Sequence, residues 1–98
     1  MTIEKNVNGN DVTIKVIGRL DTTTAPDLEA ALKELLPDAK KLTFDFSELE
    51  YLSSAGLRVL LGSQKIMAKQ GEMKVLNINQ TISDIFHCTG FDQILNIG

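Results

Sequence analysis

Along the chain the spacing of apolar positions changes period several times. Residues 2–8 and 11–20 read as strands: Val12, Ile14, Val16, Gly18 and Leu20 alternate with Thr13, Lys15, Ile17 and Arg19. Asn8-Gly9-Asn10-Asp11 between them supplies residues that tolerate positive φ, so the pair predicts a hairpin. The period then becomes helical. Leu28, Leu32, Leu35 and Leu36 share one face, Glu29 and Lys33 pair four apart on another, Thr24 with Asp27 resembles a capping box, and Pro26 and Pro37 mark start and stop. Leu42, Phe44 and Phe46, alternating with Thr43 and Asp45, predict a third strand. From Ser53 or Ser54 onward Leu57, Leu60, Leu61, Met67 and Ala68 recur at helical spacing, Lys65 and Lys69 suit the helix C-terminus, and Gly71 suits the stop. Glu72–Asn79 reads as a fourth strand. Residues 81–90 read as a short helix capped by Thr81 and ended at Gly90, and residues 93–97 as a possible fifth strand.

The predicted order is ββαβαβαβ. Strands joined by single helices need right-handed crossovers and lie parallel, while the hairpin adds an antiparallel edge. The expected fold class is therefore α/β: a mixed sheet of four to five strands, antiparallel at the N-terminal hairpin and parallel beyond it, packed with about three helices. Strand ends followed by helix N-termini collect at one edge of such a sheet, the usual location of sites in α/β proteins. Leu20-Asp21-Thr22, Asp45-Phe46-Ser47 and Ser53-Ser54 are assigned to that edge.

Composition narrows the possibilities. The chain has 98 residues, 43% hydrophobic and 23% charged, which suits a single domain over residues 1–98 with one core. A formal charge of -3 and the lack of a Lys/Arg cluster argue against direct nucleic-acid binding. Cys88 is the one cysteine, so no disulfide framework is expected, and with only His87 beside it the chain lacks a structural zinc set. The start of the chain has no basic stretch followed by an apolar run, and no apolar run approaches the roughly twenty residues that span a bilayer. The expectation is a cytoplasmic protein without a membrane span.

Most candidate chemistry falls away on inspection. A serine hydrolase would need a base, yet GxSxG is absent and only His87 is available; beside Ile85, Phe86 and Cys88 it reads as a partly buried structural histidine, and Cys88 likewise. Neither GxxxxGK[ST] nor GxGxxG occurs, so no phosphate cradle for a nucleotide is visible. Asp21 and Asp45 at strand ends are more readily caps than a metal pair. No cofactor or metal is expected, and the protein is not read as an enzyme. What remains is the serine pair in Tyr51-Leu52-Ser53-Ser54-Ala55-Gly56-Leu57, at the start of an apolar helix. One reading is that these serines only cap the helix. The other is that one accepts a phosphoryl group, whose charge the free N–H groups and the helix dipole would stabilise. Phosphorylation would then add about 1.5–2 negative charges without melting the helix, on a surface flanked by Asp21, Asp45, Glu48 and Glu50.

Gly18-Arg19-Leu20-Asp21, Asp45-Phe46-Ser47, Ser53-Ser54-Ala55-Gly56-Leu57 and the tail Ile82–Leu95 together resemble the STAS domains of bacterial anti-sigma factor antagonists, over essentially the whole chain. The resemblance implies a STAS-like fold and a partner-switching role in transcription regulation. In that family the unphosphorylated antagonist binds an anti-sigma factor that is also an ATP-dependent serine kinase, freeing a sigma factor; phosphorylation at the start of the second helix ends the binding, and a PP2C-type phosphatase restores it. The family motif is Asp-Ser-Ser/Thr-Gly, which assigns the phosphoserine to Ser54, with Ser53 as alternative. Ser53 stands where the family has the aspartate, and Ala55 where it has the second hydroxyl.

The implied partner surface comprises Asp21, Thr22, Asp45, Ser53, Ser54, Ala55, Gly56, Arg58 and Gly62. Arg58 follows Ser54 by one turn, where it can meet an acidic partner or the phosphate. Gly62 weakens a helix interior, which suggests close approach by another backbone, from the sheet or from a partner. Two other readings stand beside the antagonist. One is a STAS interaction module that is never phosphorylated, such as a scaffold or a cytoplasmic component of a lipid-transport complex; the other is a small hydrolase or nucleotide-binding protein.

Overall fold

A computed structural model describes residues Met1–Gly98 throughout. The hairpin forms as predicted: β1 (Thr2–Asn8) and β2 (Asp11–Leu20) pair antiparallel, and Gly9 adopts φ +63° in the turn. The turn is also anchored from outside, since the Asn10 carbonyl accepts from the Lys40 and Lys41 amides at 2.8 and 3.2 Å, just where β3 (Lys41–Asp45) begins.

β2 is the longest strand and changes partner along its length. Its first half, Asp11–Lys15, pairs parallel with β3, and its last residues, Gly18–Leu20, pair parallel with β4 (Leu49–Leu52). β3 pairs on its far side with β5 (Glu72–Leu76), giving the order β1-β2-β3-β5 with β4 joined to β2. β4 is a correction to the predicted element order. Its pairing runs Gly18 to Leu49, then Arg19 to Tyr51, which leaves Glu50 as an extra, bulged residue. The bulge shifts the side-chain phase, so Leu49 and Leu52 both face the core while Glu50 and Tyr51 are exposed. A spacing of three within four residues does not read as alternation.

The helices are α1 (Ala25–Leu35), α2 (Ser54–Gln70) and α3 (Gln80–Thr89). Val12, Ile14 and Val16 of β2, Leu42 and Phe44 of β3 and Met73 and Val75 of β5 line one face of the sheet. They pack with Leu28 and Leu32 of α1, Leu57, Leu60 and Met67 of α2, and Ile82 and Phe86 of α3 in one core of 23 residues. The other face is polar, with Thr13, Lys15, Thr43, Asp45 and Lys74. α2 meets the Lys40–Glu72 region at Gly71, where a Cβ would lie 1.9 Å from the Lys40 carbonyl oxygen. That carbonyl accepts from the Glu72 amide at 3.0 Å, and the Gln70 amide group donates to the Leu36 and Ala39 carbonyls. Glycine is needed here for closeness, because its φ of -178° is ordinary extended backbone.

Three further expectations are corrected. The predicted fifth strand is a 3-10 turn, Phe91–Gln93, followed by a tail that forms a single parallel bridge, Val75 to Ile97. Gly90, in the left-handed region at φ +77°, turns the chain, and only Leu95 is buried deeply enough to hold the tail. α3 is capped by Asn79, not Thr81: its Oδ1 accepts from the Ile82 amide at 2.8 Å and its Nδ2 donates to the Leu49 carbonyl at 2.9 Å. Thr24 stands at the N-cap position of α1 but makes no side-chain cap bond; its hydroxyl donates to the Arg19 carbonyl at 2.9 Å.

Gly71→Ala must displace backbone at Lys40, so a loss of about 2 kcal/mol or more is expected from forced overpacking, measurable as a shifted urea midpoint at unchanged slope.

Candidate functional site

The end of β4 delivers Ser53 to the end of β2. The Ser53 amide donates to the Leu20 carbonyl at 2.9 Å, and the Ser53 carbonyl accepts the first intrahelical bond from the Leu57 amide at 3.0 Å. One turn on, a Cβ at Gly56 would lie 2.5 Å from Leu52 Cδ1 and 2.8 Å from Leu20 Cγ. Glycine therefore lets the first turn of α2 rest directly on the two leucines that close the β2–β4 pairing.

The serines have different surroundings. Ser53 is the N-cap residue by backbone geometry, φ -90° and ψ 176°, but its side chain does not cap the helix. Its Oγ is buried without a hydrogen-bond partner, which corrects, for Ser53, the reading that the serines cap the helix through their side chains. Ser54 is the first helical residue and is exposed. Beside it Thr22, Ala25, Pro26, Glu29, Ala55, Arg58 and Val59 surround a depression of about 210 Å³. Thr22, Ala55, Gly56 and Arg58 are thus gathered with the serines where α1 and α2 begin.

Asp21 sits at the start of this cluster and builds the loop leading into α1. Its Oδ1 accepts from the Thr23 hydroxyl at 2.7 Å and from the Thr23 and Thr24 amides at 3.0 and 3.2 Å. The Thr23 hydroxyl, then the Thr23 and Thr24 backbone, hold the Asp21 carboxyl below its ordinary value, against a smaller opposing effect of burial.

Asp45 lies elsewhere. Its register partner in β2 is Lys15, five residues before Leu20, which is roughly 16 Å of strand at about 3.3 Å per residue. Burial would raise its carboxyl, but the Ser47 amide, the Asn77 side chain at 3.1 Å and the Lys15 charge together hold it below the ordinary value. Glu48 pairs with the Lys15 ammonium, and this contact raises the lysine above its ordinary value. Asp45 and Glu48 therefore form a polar network on the open sheet face, away from the serines. Only Asp21, with exposed Glu50 in the bulge, remains near the β2–β4 end.

His87 and Cys88 are both exposed, correcting the reading of them as partly buried. The His87 ring contacts Asp92 at 3.0 Å with its side chain 83% exposed. α3 turns this part of its surface outward because Ile82 and Phe86, with half-buried Ile85, form the face that packs on the core.

The sequence reading also missed two groups. Arg19 stacks over the Tyr51 ring at 4.6 Å, a cross-strand pair that exists only because β4 pairs with β2. A groove of about 540 Å³ runs between α1 and α2, with Leu32, Leu36, Val59, Gly62, Ser63 and Ile66 among its lining residues. Val59 and Ser63 are both buried, because α1 packs against that side of α2. A Cβ at Gly62 would meet nothing within 4 Å, so no strand approaches it.

Ser53→Ala removes no made bond, so its stability should stay within about 0.5 kcal/mol, whereas Asn79→Ala should cost about 1 kcal/mol as a true cap; paired denaturant melts would separate them. Both aspartates have folded-state values below the ordinary 3.8, so the unfolded chain binds the more protons in acid. Their stabilisation is complete above about pH 4 and lost as pH falls through the folded values. An Asp21→Asn/Asp45→Asn variant should show a flatter acid limb in a plot of melting temperature against pH.

Comparison with known proteins agrees with this architecture. The family described as Mlab, STAS domain matches residues 3–96. The anti-sigma-B factor antagonist of Bacillus subtilis is 29% identical over 98 residues, covering 99% of this chain and 90% of that protein. Its counterpart in Staphylococcus aureus strain NCTC 8325 is 25% identical, covering 99% of this chain and 92% of its own. The crystal structure of an anti-sigma factor antagonist from Mycobacterium paratuberculosis superposes with a TM-score of 0.89 at 27% identity, over 98% of this chain and 83% of that one. Antagonists of this kind are regulatory binding proteins, not enzymes. From the start of β1 to the tail beside β5, the chain belongs to the STAS domain family.

Proposed function

We propose that this protein is an anti-sigma factor antagonist of the bacterial cytoplasm, switched at Ser54. Unphosphorylated, it binds an anti-sigma factor that is also a serine kinase, and so frees a sigma factor. The kinase transfers the γ-phosphoryl group of ATP to Ser54 Oγ, the hydroxyl proton leaves to solvent or to a base of the kinase, and ADP departs. A PP2C-type phosphatase hydrolyses the ester and restores binding.

The observation that carries this reading is the contrast between the two hydroxyls. Ser54 is exposed at the first position of a 17-residue helix, whereas Ser53 Oγ is buried. A phosphate on Ser54 meets the free amides and positive dipole end of α2. The helix is thereby kept, and the change is one of charge and bulk on a surface made of Thr22, Ala55 and Arg58. Gly56 and the Leu20–Leu52 pair fix where that charge appears.

Incubation with ATP and the candidate anti-sigma kinase from the same genome tests the reading. One phosphate per chain is expected, on Ser54 by mass-spectrometric mapping, and none in Ser54→Ala. Ser54→Ala should keep the complex and Ser54→Asp should weaken it at least tenfold. Phosphate retained in Ser54→Ala would move the site to Ser53, and no phosphate in the wild type would leave a STAS module that is never phosphorylated.

A further inference from the structure

The groove between α1 and α2 joins the depression beside Ser54, because Glu29, Arg58 and Val59 line both. Its floor is apolar, from Leu32, Leu36 and Val59, all buried, and its rim carries Ile66, which is 45% exposed. From Arg58 to Ile66 it follows α2 for eight residues, roughly 12 Å at about 1.5 Å per residue.

Two features of this groove have no use within the chain. The first is Gly62. A glycine inside a helix costs about 1 kcal/mol relative to alanine, and a close approach justifies that cost, as it does at Gly56. Gly62 has no neighbour within 4 Å of a Cβ, so the space it leaves is open to the outside. The second is charge. α2 contains Arg58, Lys65 and Lys69 and no acidic residue, in a chain of net charge -3. The ion pairs of the protein involve Lys15, Lys33, Lys41 and His87, so all three cations of α2 are unpaired. On the facing helix Glu29 is held by Lys33 at 3.7 Å, which leaves Arg58 as the uncompensated charge in the groove wall.

We infer that the groove receives an acidic amphipathic helix of the anti-sigma factor. Its apolar face lies on Leu32, Leu36, Val59 and Ile66, one side chain enters the space left by Gly62, and its carboxylates face Arg58 and Lys65. This is a helix-in-groove contact with charge complementarity at its rim. The inference rests on the antagonist reading and adds to it a second contact, one that begins at the switch and runs two turns down α2. It also gives Arg58 a regulatory part: four residues after Ser54, it pairs with a partner carboxylate before phosphorylation and with the phosphate afterwards.

The test uses the full chain and the candidate anti-sigma kinase, with affinity measured by calorimetry at two salt concentrations and folding by thermal melt. Gly62→Leu should melt no lower than the wild type, because its Cβ meets nothing, yet bind the kinase at least tenfold more weakly. Lys65→Glu/Lys69→Glu, confined to exposed positions, should also weaken binding and flatten its salt dependence. Wild-type affinity in both variants, with Ser54 still phosphorylated, would overturn the groove contact and leave the antagonist reading standing. If the wild type neither binds the kinase nor accepts phosphate, both fall. If sedimentation shows a dimer that Gly62→Leu dissociates while kinase affinity is unchanged, the occupant is a second copy of this chain and the inference is overturned.

Discussion

The parallel pairing of β4 with the last residues of β2 is the constraint on which the site depends. β2 outruns β3 by five residues, and without a second partner its end would leave backbone donors and acceptors unpaired. β4 supplies that partner, and its bulge at Glu50 turns both Leu49 and Leu52 inward. Leu52 then lies against Leu20, Gly56 rests on both, and α2 starts at a set height beside the loop leading into α1. Two serines that follow β4 in sequence are thereby brought to Asp21 and Thr22, more than thirty residues earlier in the chain.

The packing also separates the charges into two groups. Lys15, Asp45, Glu48 and Asn77 satisfy one another across the open sheet face. The cations of α2 have no such partners. A phosphate placed on Ser54 under the proposed function would therefore enter a surface whose acidic neighbours are fewer than the sequence suggests and which has a cation, Arg58, one turn along α2. Under the proposed function, the added charge acts on a partner's carboxylates and their claim on Arg58, more than on repulsion from a local acidic cluster.

Legibility in the sequence followed the strength of the local pattern. The hairpin, β3, α1 and α2 were readable because alternation or helical spacing extended over five or more residues, with glycine or proline at the ends. β4 was not, since its two core leucines stand three apart and depend on a bulge that only pairing creates. The tail failed in the opposite way: Leu95 and Ile97 alternate correctly, but a single bridge to Val75 is all that β5 offers them. Capping by side chains was misread at Thr24, Ser53 and Thr81, because a hydroxyl near a helix start has several acceptors within reach. Thr24 found the Arg19 carbonyl, and Asn79 took the cap assigned to Thr81.

By itself the sequence determined the α/β class, the order of most elements, the family and the placement of Ser53-Ser54 at a helix start. These are matters of local periodicity, turn chemistry and short motifs, which neighbouring residues decide. Tertiary structure alone decided that Ser54 is the accessible hydroxyl and Ser53 the buried one, that Asp45 belongs to the sheet face, and that Gly62 opens into a groove. Each of these depends on which distant segment covers a side chain, and that follows from strand pairing and helix packing over tens of residues.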